Sequence, residues 1–213
     1  LLQTELPKKL AQHGILTIIP TFQDGTFSFG VDSLSQQSLI NMIKDVNAKH
    51  KLKDLKLYVG GFSIGGSCVI KFAEHSTIQP TAVFAIDPPL DFERFYHSAT
   101  RNIRLSKSTE VNQEDVYMIG RLEKETGGSP TTNLSAYYKL SPYSFSDTTQ
   151  TAIKKIIHIP LRIYTEPDIQ WWMKERGTDF TKINATECSA MINELNRIGN
   201  QKAALITTQN KGF

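Results

Sequence analysis

The chain has 213 residues, 39% of them apolar and 21% charged, which is typical of a single globular domain. The chain has 24 Lys and Arg residues and 21 Asp and Glu residues, and the net charge of +3 is too small to indicate a nucleic-acid partner. No run approaches the roughly 18 consecutive apolar residues of a transmembrane span. Two cysteines, Cys68 and Cys188, exclude a disulfide scaffold and a cysteine-rich zinc site.

Short apolar runs alternate with amphipathic segments along the chain. The runs are rich in β-branched residues and predict buried strands at 15–19, 57–59, 82–86, 161–164 and 203–206. Apolar residues at helical spacing predict helices over 5–12, 33–49, 64–75, 147–157 and 184–198. Strands that alternate with helices indicate an α/β fold, a mostly parallel twisted sheet with helices on both faces.

Residues 88–146 interrupt this alternation. They contain four prolines, the pair Gly127-Gly128 and many hydroxyl side chains. We interpret them as an insertion of short helices and loops, which leaves 1–87 and 147–213 as the core. The insertion follows the carboxyl end of the third predicted strand, where open α/β sheets bind their ligands.

The motif with the clearest chemistry is Gly61-Phe62-Ser63-Ile64-Gly65, a G-x-S-x-G. A predicted strand enters it and a predicted helix leaves it, which is the context that a nucleophile elbow requires. Small residues on both sides of Ser63 allow a tight turn that exposes its hydroxyl, and the backbone N–H of Ile64 can help to bind an oxyanion. A plain glycine-rich βα turn is the alternative, since the spacing does not fit a phosphate-binding P-loop.

These residues resemble the α/β-hydrolase family. Residues 58–66 are similar to the family's elbow strand and turn, and 159–168 to a later strand that ends in the acid of the catalytic triad, although the family usually has Gly where Thr165 stands. The insertion at 88–146 corresponds to the family's cap over the active site. The resemblance implies a serine hydrolase that cleaves a small-molecule carboxylic ester, thioester or amide through an acyl-enzyme on Ser63, with no cofactor and no metal.

Asp168 is the predicted acid, because a carboxylate just beyond a buried strand can orient a histidine base. Glu166 and Asp87 are alternatives at the same edge of the sheet. The structural alternative for Asp168 is a loop carboxylate that caps the next helix.

Aromatic and polar residues near these positions are candidates for substrate binding. They are Phe22 and Gln23 after the first predicted strand, Phe62 beside the serine, and Trp171 and Trp172 after the acid. The two tryptophans could wall an apolar acyl pocket or pack in the core.

No histidine follows Asp168, where the resemblance places the catalytic base. Only His97, in the insertion, could approach Ser63. We therefore expect the natural protein to continue beyond Phe213 with the base, and before Leu1 with the oxyanion loop and a strand that lies between 15–19 and the elbow strand. The alternative function is a non-catalytic binding protein that kept the fold and lost the base. The acyl group, the localisation and the oligomeric state are beyond what fold and motif specify.

Overall fold

The structure is a computed structural model that describes residues 5–22, 29–52, 56–106 and 113–209. Its strands are β1 (Tyr58–Phe62), β2 (Ala82–Ile86), β3 (Leu161–Thr165) and β4 (Ala203–Thr207). Its helices are α1 (Leu6–Gln12), α2 (Ser33–His50), α3 (Ile64–His75), α4 (Phe92–Leu105), α5 (Gln113–Thr126), α6 (Pro130–Leu140), α7 (Thr151–Lys154), α8 (Ile169–Arg176) and α9 (Ala185–Arg197). None of the helices within these ranges is both long and apolar enough to cross a bilayer.

The four strands form one sheet in the order β1-β2-β3-β4, and each neighbouring pair is parallel. The carboxyl ends of all four strands therefore meet at one edge. The predicted α/β fold with a parallel sheet is confirmed, and the bounds of β1 to β4 differ from the predicted ones by at most three residues.

The main core covers one face of the sheet. Val83 and Ala85 of β2 and Ile163 of β3 point to this face, where α3, α7 and α9 pack over them. The opposite face carries Phe84 and bears a groove that Leu6 of α1 borders. Burial of the first face supplies the apolar contacts that hold the sheet and its helices together.

Helices α4, α5 and α6 form a separate packed unit between β2 and β3. A second apolar cluster joins Phe92, Met118, Leu122 and Tyr137 of these helices to Phe29, which precedes α2. The insertion that we predicted as short helices and loops thus contains helices of 14, 14 and 11 residues.

Two predicted elements need correction, and one observed helix was missed. Residues 15–19 form no strand, and Leu16 is 53% exposed, because no strand in the described ranges lies beside them to share ladder hydrogen bonds. The helix predicted over 147–157 is the four-residue α7 followed by turns, although Ile153 and Ile156 are buried as their spacing suggested. Helix α8, which carries both tryptophans, was not predicted.

Candidate active site

Ser63 occupies a strained turn between β1 and α3. Its backbone angles are φ 50° and ψ −122°, a combination that residues other than glycine rarely adopt. The Ser63 N–H donates to the carbonyl oxygen of Ile86 at 2.8 Å, and the Ser63 carbonyl accepts from the N–H of Gly66 at 2.8 Å. These two bonds hold the turn at the carboxyl edge of the sheet, where strain of about 1–3 kcal/mol is typical of a functional residue.

The two glycines of the motif differ in what they contribute to this turn. A Cβ atom placed on Gly61 would lie 2.1 Å from the carbonyl oxygen of Gly65, which is backbone that cannot move aside. A Cβ atom on Gly65 would meet nothing within 4 Å. The close approach therefore requires glycine at position 61, whereas the turn leaves room for a side chain at position 65.

Ile64 is the first residue of α3. The first N–H groups of a helix have no partner within the helix and carry the positive end of its dipole. Gly66 and Ser67 already direct their N–H groups to the Ser63 carbonyl oxygen, at 2.8 and 3.3 Å. The N–H of Ile64 lies next to the hydroxyl-bearing residue, at the amino end of α3.

A cavity of about 350 Å³ opens at Ser63. Its lining includes three of the predicted binding and oxyanion residues, Phe62, Ile64 and Trp172. The other lining residues come from the ends of strands, from α4 and α5, and from the segment 176–184; they are Asp87, Pro89, Phe95, Asn102, Glu114, Asp115, Met118, Arg176, Thr178, Lys182, Ile183 and Asn184. The serine thus lies between the sheet edge and the helical insertion.

All five histidines lie within the described ranges, and none of them lines this cavity. His97 is exposed, with its ring edge-to-face against Tyr96 at 5.9 Å. In the part of the chain that the structure describes, no three His, Cys, Asp or Glu side chains are grouped to hold a metal ion.

Three carboxylates line the same cavity as Ser63, and Asp87 is the one that lies at the sheet edge, while Glu114 and Asp115 belong to α5. Asp87 directly follows β2 and also has a positive φ, 47°. One carboxylate oxygen accepts from the Thr165 hydroxyl at 2.8 Å, and the other accepts from the Asn184 side-chain amide at 3.2 Å. Burial raises the pKa of Asp87, and the two hydrogen bonds oppose that shift.

Asp168 lies at the amino end of α8, shortly after β3, which is the neighbour of β2 in the sheet. Its Oδ1 accepts from the Trp171 N–H at 3.0 Å, so the side chain caps the helix. Its Oδ2 has no hydrogen-bond partner in the described part of the chain, and the residue is exposed outside the lining of the Ser63 cavity. Glu166 accepts from the Thr208 hydroxyl at 2.9 Å and is also outside the lining.

The remaining candidates for substrate binding divide between positions near the cavity and positions away from it. Trp171 packs edge-to-face against Trp172, with ring centroids 5.1 Å apart, and is itself outside the lining. Phe22 packs against Gly30 rather than in the lining of this cavity. Gln23 lies outside the described residues.

Two solved structures of esterase-related proteins resemble this chain at low identity. The first is a lipase-esterase related protein from Clostridium acetobutylicum, with 12% identity and a TM-score of 0.44 over 89% of this chain and 71% of the other. The second is from work on the carboxylesterases of Nitrososphaera gargenis, with 10% identity and a TM-score of 0.44 over 96% of this chain and 76% of the other. No protein-family model matches the sequence, and no curated protein matches it.

Sequence reasoning missed the residues that hold Asp87. Asn184 also donates to the Asp87 backbone carbonyl at 2.9 Å, so it fixes both the chain and the side chain. A signal was present for Thr165, because its hydroxyl stands where the family usually has Gly. No local pattern marked Asn184, which lies 97 residues from Asp87.

Proposed function

We propose that this chain carries the nucleophile of a serine hydrolase that cleaves a small-molecule carboxylic ester, or a related thioester or amide. The observation that carries the proposal is the positive φ of Ser63 in a strand-to-helix turn that opens into a cavity. Such a turn costs free energy, and its known benefit is an exposed hydroxyl beside helix N–H groups. A plain glycine-rich βα turn has no need of a strained serine.

In this proposal Ser63 Oγ attacks the substrate carbonyl while its proton passes to a general base. The tetrahedral oxyanion accepts a hydrogen bond from the Ile64 N–H, and its collapse expels the alcohol and leaves an acyl-enzyme. Water then attacks the acyl-enzyme with help from the same base, which releases the carboxylic acid and restores the Ser63 hydroxyl. The expectation of a histidine beyond residue 213 as the base stays a prediction.

Asp168 is the acid of the proposed triad. Its Oδ1 is fixed by the Trp171 N–H, while its Oδ2 remains available to accept from an imidazole. Both oxygens of Asp87 are already engaged, by Thr165 and Asn184. Asp87 therefore fits better as a fixed wall of the cavity than as the partner of a base.

Helices α4 and α5 serve as a cap in this proposal. Phe95 and Asn102 of α4 and Met118 of α5 line the cavity of Ser63. Phe62 and Trp172 add to the apolar part of this surface, and charged residues such as Asp87 and Glu114 line the rest of the cavity. Sites for small organic substrates likewise combine apolar walls with placed polar groups.

The test is hydrolysis of 4-methylumbelliferyl butyrate by the complete protein. Ser63→Ala should lower kcat/KM by about a thousandfold or more, as loss of a serine nucleophile does. Ser135→Ala, an exposed serine on α6, is the matched control and should leave turnover unchanged. Equal turnover by wild type and Ser63→Ala would refute the proposal. Binding of esters by wild type without any turnover would instead support the alternative of a non-catalytic binding protein.

A further inference from the structure

A second cavity adjoins the one at Ser63. Its volume is about 400 Å³, and it shares Asn102, Arg176, Thr178 and Lys182 with the first. Because four residues line both spaces, the two cavities are immediate neighbours. We call this second space the basic chamber and define it by Ser98, Arg101, Ser106, Arg176, Thr178 and Lys182.

Positive charge exceeds negative charge in the basic chamber. Arg101, Arg176 and Lys182 line it, and Asp179 is the carboxylate found among its described lining residues. Asp179 is engaged by Arg101 at 3.0 Å and by the Thr181 N–H at 2.9 Å, and the hydrogen bonds from Thr181 lower its pKa. The chamber's carboxylate is thus already occupied.

The three cations differ in their partners. Arg101 pairs with Asp179, and Lys182 pairs with the buried Asp115 at 2.7 Å. Arg176 forms no ion pair with any described residue; its guanidinium lies 5.7 Å from the centre of the Trp171 ring. A guanidinium stacked on an aromatic ring keeps its N–H edge available for a carboxylate or phosphate.

A buried serine belongs to the lining of the same space. Ser98 is 9% exposed, and its Oγ has no hydrogen-bond partner and almost no accessible surface. The donor that an anion in the chamber can reach is therefore Arg176, which is exposed.

We propose that the basic chamber binds an anionic group of the substrate, a carboxylate or a phosphate, with Arg176 as a specificity-determining residue. This inference rests on the proposed function, since it makes the substrate an ester with an anion at a distance from the bond that Ser63 attacks. The apolar surface at Ser63 holds the acyl chain or alcohol next to the scissile bond, and the chamber holds the charged end.

The test compares matched esters on the complete protein. The substrates are 4-methylumbelliferyl butyrate, the mono-4-methylumbelliferyl ester of adipic acid, and an ester of equal chain length that ends in a phosphonate. Wild type should favour an anionic ester, and the better of the two identifies the preferred anion. Arg176→Gln should lower kcat/KM for that ester by about tenfold to a hundredfold, as loss of a charge-assisted hydrogen bond does, and should lower it several-fold less for the butyrate ester.

Arg197→Gln is the control, because Arg197 is exposed on α9 and lines neither cavity. It should leave all three esters unaffected. No preference of wild type for an anionic ester, or an equal loss on charged and neutral esters in Arg176→Gln, would overturn the inference.

Calorimetric binding of adipate and of inorganic phosphate to the Ser63→Ala variant separates this inference from the proposed function. The anion should bind, and the added change Arg176→Gln should weaken that binding about tenfold or more. If no ester is hydrolysed, the proposed function fails while this binding measurement still decides the chamber. Binding that is absent, or that Arg176→Gln does not weaken, overturns the inference whatever the ester assay gives.

Discussion

Two residues at the sheet edge share an unusual backbone conformation. Ser63 follows β1 and Asp87 follows β2, and their φ angles are 50° and 47°. Because β1 and β2 are parallel neighbours, these strained positions adjoin each other at the same edge. Such strain persists only where the surroundings enforce it, as Thr165 and Asn184 do for Asp87.

Substitution of each carboxylate distinguishes their roles. Asp168→Asn should retain the cap of α8, since Asn caps as well as Asp, and should lower kcat by about 10³–10⁴-fold because the base loses its orientation. Asp87→Asn should lower kcat less, because Asp87 has no free oxygen for a base. Steady-state kinetics on an ester substrate checks both variants, with circular dichroism to confirm folding. A severe loss in Asp87→Asn beside near-normal Asp168→Asn would transfer the role of acid to Asp87.

At the scale of elements, the junction of β1 and α3 depends on one close backbone approach. Gly61 lies against the carbonyl group of Gly65, the second residue of α3. Gly66 is also enclosed, since a Cβ atom there would lie 2.9 Å from Pro88. The helix can therefore leave the strand at this angle only if the strand residue has no side chain.

Alanine at each glycine of the motif measures this constraint. Gly61→Ala should lower the free energy of unfolding by about 3 kcal/mol, the upper end of the usual cost of overpacking. Gly65→Ala should leave it unchanged or raise it by up to about 1 kcal/mol, because Ala favours a helix and finds open space. Urea unfolding of both variants gives the comparison, and equal costs would contradict the geometry described here.

For the whole molecule, the sequence predicted the elements that bury a complete apolar face. Strands β2 and β3 are short apolar runs, and α3 begins and ends where its spacing predicted. Residues 15–19 have the same composition, yet a strand also needs a neighbour for its hydrogen bonds, which composition does not reveal. The hydrogen bonds that hold Asp87 come from Thr165, 78 residues away in the chain, and from Asn184, 97 residues away. No local pattern could predict them.

Part of the pH dependence of the molecule's stability should come from His75, the last residue of α3. Partial burial, and then the charges of Lys71, Lys155 and Lys139, lower the pKa of His75 to about 4, although part of its side chain is exposed. A histidine in the unfolded chain has a pKa of about 6.5, so between these values the unfolded state binds more protons. This contribution to stability is present above about pH 6.5 and is lost as the pH falls towards about 4.

His75→Gln should therefore reduce the loss of stability on acidification. Urea unfolding at pH 7.5 and at pH 5 should show a smaller decrease in the free energy of unfolding for His75→Gln than for wild type. His158→Gln, an exposed position in the turn before β3, serves as the control and should behave as wild type does. The same decrease in wild type and His75→Gln would show that His75 is not the responsible group.

The most direct test of the account is the site of covalent labelling by a fluorophosphonate probe. The complete protein should be labelled once, and peptide mass spectrometry should locate the adduct on Ser63, because only an activated serine beside oxyanion donors reacts readily with such a probe. Ser63→Ala should not be labelled. Labelling that persists in Ser63→Ala, or an adduct on another residue, would contradict the assignment of Ser63 as the nucleophile.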